Sequence, residues 1–262
     1  MTTVEELPGP SDLFVPSAWT DSSAAFVVGF DGSPASRAAA RYGAIEARAC
    51  GARLTLVMVL DRLEGVPTQA SRQVDACRWS NVIADRDELV RLDPDLDVRV
   101  DVQIGDAAER LAARSSGQAA LVLGQDIGLG STTRNALSRC DVPVVVVPAG
   151  WRLSRTPDPR PILLGVGTDP EDATSNAARA FARDRAERYG VPLRVVTSIG
   201  SGPDDTAALL QSVGAQLIVL GRSAQKAPRQ SGSVIDTVLR VAGVPVAVVP
   251  GLPRRPRSSS WM

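Results

Sequence analysis

The chain has 262 residues, of which 44% are hydrophobic and 22% charged. That length suits one large domain or two small ones, at ~100–200 residues each, and the apolar fraction is enough for a packed core, which excludes a disordered chain. Charge is balanced, 29 Lys+Arg against 29 Asp+Glu, so the basic excess of a nucleic-acid binder is missing and no nucleic-acid partner is expected. Histidine is absent. That removes Ser-His-Asp and Cys-His catalysis, His-ligated zinc and the commonest general base near neutral pH. No enzymatic activity and no metal site are expected. Cys50, Cys77 and Cys140 are far apart, odd in number and form no CxxC pair; they read as buried thiols of a reducing cytoplasm. No apolar run reaches the ~18 residues of a membrane span. Met1–Pro16 lacks the basic start and apolar core of a secretory leader. The expectation is a cytoplasmic protein with no membrane partner.

In chain order, residues 1–20 carry no clear periodic pattern and are expected to be a loose end. A strand follows, Ala25-Phe-Val-Val-Gly29, leading into Asp31-Gly-Ser-Pro34. An Ala/Arg-rich helix then covers Ser36 to Cys50, since both residues favour helix, and Gly51 stops it. Next come a strand over Arg53–Val59, a helix over about Gln69–Arg91 and a strand over about Asp97–Gln103. A strand ending Leu121-Val-Leu-Gly124, a short loop, Gly130-Ser131, a helix over Thr133–Arg139 and an apolar strand Val144–Val147 complete the first half.

The second half repeats this plan. Gly165 and Pro170 match Gly29 and Pro34. A second Ala/Arg-rich helix, about Ala173–Tyr189, ends at Gly190 as the first ends at Gly51. Leu193–Thr197 matches the second strand, Ile218-Val-Leu-Gly221 matches Leu121–Gly124, and Val244–Pro250 matches Val142–Pro148. The spacing between matching positions is 139 at the helix stops, 97 at the strand ending in Gly221, and 102 at the last strand. Repeat 2 has therefore lost the stretch that in repeat 1 holds one helix and one strand. The expected domains are residues 21–149 and 161–251, with a proline-rich linker at 150–160 and a loose tail at 252–262. Strands that alternate with helices and are nearly all apolar suit a parallel sheet covered on both faces. Ligands of such folds lie beyond the carboxyl ends of the strands. Trp79 and Trp151 are expected to pack in the extra helix and at the linker. The Asp93–Asp97 turn reads as solvated, since it lacks the spacing of a calcium loop.

Taken together and in order, Val28-Gly-Phe-Asp-Gly-Ser33, Ile104-Gly-Asp106, Leu121–Gly124, Gly130-Ser131 and Val142-Pro-Val144 resemble the universal stress protein family. So do Leu217–Gly221, Gly232-Ser-Val234 and Val244-Pro-Val246 in the second repeat. The resemblance implies two tandem doubly wound, Rossmann-like α/β domains, each with a parallel sheet in strand order 3-2-1-4-5. The second would lack strand 3 and its helix. It also implies antiparallel pairing of the last strands, here Val144–Val147 against Val246–Val249, as an intrachain pseudo-dimer; pairing of two whole chains is left open.

ATP-binding members carry G-x2-G-x9-G-[ST] after the fourth strand. Glycines let backbone N–H groups approach phosphates, and the final Gly-Ser opens a helix whose N-terminus favours an anion. On that pattern, the implied adenine-nucleotide residues in repeat 1 are Asp31, Gly32, Ser33, Val59, Gly105, Gly124, Gly130 and Ser131. In repeat 2 they are Gly221, Arg222, Ser223, Gly232 and Ser233. Both sites depart from the motif. Repeat 1 has five loop residues, Gln125–Leu129, where the motif has twelve, and Asp126 is negative. Repeat 2 has ten, Arg222–Ser231, with Ala224 at the second glycine, Gly167 at the strand-1 Asp, and Arg222, Lys226 and Arg229 making the loop cationic. Two readings therefore stand. In one, the protein is a stress-response adaptor or sensor with degenerate sites and a protein partner. In the other, it is a regulator binding ATP or another adenine nucleotide through the loop of repeat 2.

Overall fold

The computed structural model describes residues 4–6, 24–60, 69–126, 128–154, 157–166, 173–197, 214–222 and 234–251, and among these residues ten strands and six helices follow one another. They are β1 (Val4–Glu6), β2 (Ala25–Gly29), α1 (Pro34–Cys50), β3 (Arg53–Leu60), α2 (Gln69–Leu92), β4 (Val98–Ile104), α3 (Ala107–Ser115), β5 (Ala120–Gln125), α4 (Ser131–Arg139) and β6 (Val144–Pro148) in the first part. Then come β7 (Ile162–Val166), α5 (Ala173–Tyr189), β8 (Leu193–Thr197), β9 (Leu217–Arg222), α6 (Val234–Val241) and β10 (Val246–Pro250).

All ten strands join one sheet, in the order β1-β8-β7-β9-β10-β6-β5-β2-β3-β4. Within repeat 1 the order β4-β3-β2-β5-β6 is 3-2-1-4-5, and the strands are parallel. Repeat 2 keeps strands 2-1-4-5, also parallel. The two halves meet where β6 runs antiparallel to β10, with Val146 opposite Val246 and Val144 opposite Val248. The expected pseudo-dimer seam is thus present, and it makes one continuous sheet of the two repeats.

The vacant strand-3 position of repeat 2 is filled. β1 lies antiparallel on β8, with Val4 opposite Val196 and Glu6 opposite Arg194. The expectation that residues 1–20 stand apart as a loose end is corrected at Val4–Glu6. An uncovered β8 would leave a row of backbone N–H and C=O groups unpaired, and a short antiparallel segment satisfies them without a crossover helix. From β1 the chain returns to β2, seven strands away, or roughly 34 Å at ~4.8 Å per strand. Residues 7–23 are long enough for that at up to ~3.3 Å each. The tail 252–262 lies outside the described residues.

Local chemistry accounts for the elements. α1 starts at an Ser33 cap whose Oγ accepts from the Ser36 N–H, has Pro34 in its first turn, and ends at Gly51 in the left-handed conformation, φ 63°; Pro and Gly sit where helix ends favour them. Its buried stripe, Ala38, Ala39, Tyr42, Gly43 and Ala47, faces the sheet. The small residues bring the helix close enough that a Cβ on Gly43 would meet Val28 at 2.9 Å. Two apolar layers result, one on each face. The layer under α1, α2 and α5 joins Phe26, Leu54 and Val147 to Phe181, Leu164 and Val249. The layer under α3, α4 and α6 joins Leu111, Leu123 and Leu137 to Ile218, Leu239 and Val248. Each layer crosses the seam. Trp151 does pack at the linker, edge-on to Tyr42 at 5.5 Å. Trp79, however, is 45% exposed on α2. Of the cysteines, Cys140 is buried, Cys50 partly so and Cys77 exposed, which corrects the reading of all three as buried.

Candidate functional site

β2 and β5 are neighbours in space, although α1, β3, α2, β4 and α3 separate them in sequence. At their carboxyl ends the strand order reverses, which opens a crevice. There a cleft of about 170 Å³ is lined by Asp31, Ser33 and Ser36, by Val57 and Val59 of β3, by Leu111 of α3, by Gly124, and by Thr132 and Thr133 of α4. Of the residues implied in repeat 1, the fold brings Asp31, Ser33, Val59 and Gly124 to this cleft. Gly32, Gly105, Gly130 and Ser131 are not among its lining residues. The sequence reading missed Thr132 and Thr133, because it stopped at the Gly-Ser pair. The signal was present in the hydroxyls of the next two residues, which the first turn of α4 carries to the cleft.

Asp31, Gly32, Gly105 and Gly124 have local roles that explain them without a ligand. Asp31 Oδ1 accepts from the Ser33 N–H at 2.9 Å, and Gly32 takes φ 82° to make that turn possible. Burial pushes the Asp31 carboxyl up, but hydrogen bonds from Ser33 and Ser36 outweigh it and hold the pKa below the ordinary aspartate value. Asp31 is therefore anionic at neutral pH. Gly105 has φ 131°, a conformation suited to glycine, and its N–H bonds Leu60 O at 2.9 Å. Gly124 allows contact with the start of α1: a Cβ there would lie 2.2 Å from the backbone carbon and oxygen of Ala35. Gly130 caps α4 without a side-chain hydrogen bond, so the first N–H groups of that helix have no side-chain cap. Among the described residues that line the cleft, none is Lys or Arg and Asp31 is the charged one.

In repeat 2, Gly221 and Arg222 end β9, whereas Ser223, Gly232 and Ser233 lie outside the described residues. Arg222 reaches repeat 1. Its guanidinium crosses the seam, donating to Ser138 O at 3.2 Å and to Cys140 O at 2.6 Å. These carbonyls end α4, where a cation is favourable. Burial lowers the Arg222 pKa. Two of its five N–H donors are thereby engaged by carbonyls of repeat 1. Gln125, its counterpart in repeat 1, reaches the other way, and its amide donates to Leu239 O of α6 at 2.5 Å.

A larger concavity, about 720 Å³, lies between the linker and the two repeats, walled by Tyr42, Trp151, Leu153, Tyr189, Asp158 and Arg160 among others. Nothing local in the sequence points to it, because its walls come from five separate stretches. Among the described residues no group of three His, Cys, Asp or Glu side chains could hold a metal ion, and no helix is long and apolar enough to cross a membrane.

Comparison with known proteins bears on this geometry. The model of the universal stress protein family matches residues 25–148 and again residues 155–250. A universal stress protein of Mycobacterium tuberculosis (strain ATCC 25618 / H37Rv) is 32% identical over 189 residues, covering 65% of this chain and 62% of that protein. One from Mycobacterium bovis matches to the same extent. The chain thus covers less than two thirds of these relatives. The crystal structure of a universal stress protein from Archaeoglobus fulgidus DSM 4304 superposes with a TM-score of 0.69 at 14% identity, over 86% of this chain and 98% of that one. A protein of unknown function from Pseudomonas aeruginosa PAO1 gives 0.62 at 13% identity, over 90% and 95%. At those identities the likeness is one of fold.

Proposed function

The chain belongs to the universal stress protein family, and from that premise we propose that it is a non-catalytic stress-response adaptor or sensor whose nucleotide sites have degenerated. The observation that carries this reading is the repeat 1 cleft. At about 170 Å³ it falls below the ~300–1,000 Å³ of ligand pockets, and the described residues that line it include the anionic Asp31 and no cation, where a triphosphate needs positive partners. The loop that would hold phosphates is five residues long. The commitment of Arg222 to α4 weakens the second site in the same direction. Function then rests on surfaces that meet a protein partner.

The rival reading, an ATP- or adenine-nucleotide-binding regulator, draws on Lys226, Arg229 and the Gly232-Ser233 pair of the repeat 2 loop. The deciding measurement is the nucleotide content of the gently purified protein, followed by calorimetric titration with ATP, AMP and cyclic AMP. We expect no bound nucleotide and no binding heat. Binding that disappears in Gly232→Val and Ser233→Ala, and persists in variants at Gly130 and Ser131, would replace our reading with the rival. Multiple-turnover phosphate release lost in Ser233→Ala would make the protein an ATPase and overturn both.

A further inference from the structure

The seam relates the repeats by a pseudo-twofold axis, which three observations locate. In the sheet, Val145 pairs with Ala247, and these two positions correspond to one another in the repeat. On one face, α1 and α5 are both 17 residues long, so that Glu46 corresponds to Arg185. These two meet, with Arg185 Nε 2.6 Å from Glu46 Oε2 and side chains only 1% and 2% exposed. On the other face, α4 and α6 both end one residue before a capping position, so that Arg134 corresponds to Asp236, and these two also meet, at 3.5 Å.

Residues on a true twofold axis meet their own copies. Here each axial position carries a positive charge in one repeat and a negative charge in the other, on both faces of the sheet. We propose that these two pairs are a pairing code: the seam face of each repeat fits the seam face of the other repeat and rejects a copy of itself. Repeat 1 against a second repeat 1 would set Glu46 on Glu46 in a dry core and Arg134 on Arg134. Repeat 2 against itself would set Arg185 on Arg185 and Asp236 on Asp236. Each arrangement sets like charges against each other and removes the cross-repeat counter-ion, a strong penalty in the dry Glu46–Arg185 core and a smaller one at the half-exposed Arg134. The matched arrangement is reinforced from both sides. Arg185 also lies over the rings of Phe181, at 4.6 Å, and Phe26, at 5.7 Å. Tyr189 donates to Glu46 Oε1 at 2.5 Å, and Arg240 holds the second oxygen of Asp236 at 2.8 Å. The partner that fits either seam face is therefore the complementary repeat, and exchange between copies of the chain is confined to repeat 1 with repeat 2.

Two measurements on the full chain test this. In the first, a protease site is inserted after Ser154, the folded protein is nicked, and the composition of its complexes is followed by native mass spectrometry through dilution and reconcentration. Complexes of one repeat 1 with one repeat 2 are expected; self-paired repeats in comparable amount would overturn the proposal. In the second, which does not require the halves to separate, Arg134→Asp, Asp236→Arg and the double exchange are compared in the intact chain. Arg134 is half-exposed, whereas Asp236 is buried and also paired to Arg240, so the parent and all variants carry Arg240→Gln. Each single change is expected to lower Tm by about 2–4 °C, and the double exchange to recover at least half of the summed loss. A double variant as unstable as the two losses added together would overturn the proposal.

Discussion

Gly124 is the residue on which a ligand reading and a packing reading differ most. A methyl group there would meet the Ala35 backbone at 2.2 Å, and backbone cannot step aside as a side chain can. Gly124→Ala is expected to cost about 1–3 kcal/mol, the usual range for overpacking, in urea unfolding with or without nucleotide; unchanged stability would mean that β5 and α1 separate freely. Asp31 makes a prediction in pH. Its folded pKa is lowered from the ordinary 3.8, so its stabilisation is complete above that value and fades as pH falls below it through the folded value. Asp31→Asn should lose a little stability at pH 7 and show a shallower acid decline below about pH 4 than the parent chain; parallel declines would refute the assignment. The buried Glu46–Arg185 pair gives the largest single-residue effect. Burial works against the Arg185 charge, but the Glu46 carboxylate outweighs it and raises the pKa. Arg185→Met strands a buried carboxylate and is expected to cost about 3–5 kcal/mol in chemical denaturation. Adding Glu46→Leu should recover most of it, and failure to recover would show that the arginine acts by shape rather than by charge.

At the scale of elements, repeat 2 shows how a doubly wound domain survives the loss of an edge unit. Removing strand 3 leaves every inner strand paired, and the one exposed edge is covered by three residues from the far end of the chain. β1 serves only β8. Deleting residues 1–6 should therefore speed hydrogen exchange at Arg194–Val196, while Leu54–Leu60 of β3, still covered by β4, keeps its protection. Equal exchange in the two proteins would show that β1 is not seated in solution. The main elements were legible in the sequence because their signals are local. Ala/Arg-rich stretches stop at Gly51 and Gly190, and apolar runs mark the inner strands. β1 was not legible, because Val4-Glu-Glu6 has no periodicity of its own and becomes a strand only against a partner nearly 190 residues away. Trp79 was misjudged for a related reason: which face of α2 meets the sheet depends on packing, and this one leaves the indole in solvent.

At the scale of the molecule, the seam turns two repeats into one cooperative body. Both apolar layers run through it, and its backbone bonds lie in the middle of the ten-stranded sheet. Separating the repeats would expose both layers at once. Urea unfolding followed by far-ultraviolet circular dichroism and by tryptophan fluorescence should therefore give one coincident transition, with the amides of Val144–Val146 and Val246–Val248 among the slowest to exchange. Two resolved transitions would mean that the repeats fold as independent domains. The candidate site belongs to this scale as well. Arg222 was assigned from its position beside a glycine-rich loop, and nothing local shows that the carboxyl end of another repeat's helix lies within its reach.

The sequence by itself determined the duplication, the missing helix–strand unit, the α/β class, the family and the shortened phosphate loop of repeat 1, because each is written in residue order and spacing. Only the tertiary structure decided where Arg222 and Gln125 send their donors, which strand closes the edge of repeat 2, and that corresponding positions of the repeats meet as opposite charges. Those outcomes depend on distances between residues far apart in the chain. Such distances exist only once burial of the two apolar layers has drawn the repeats together, and no local propensity encodes them.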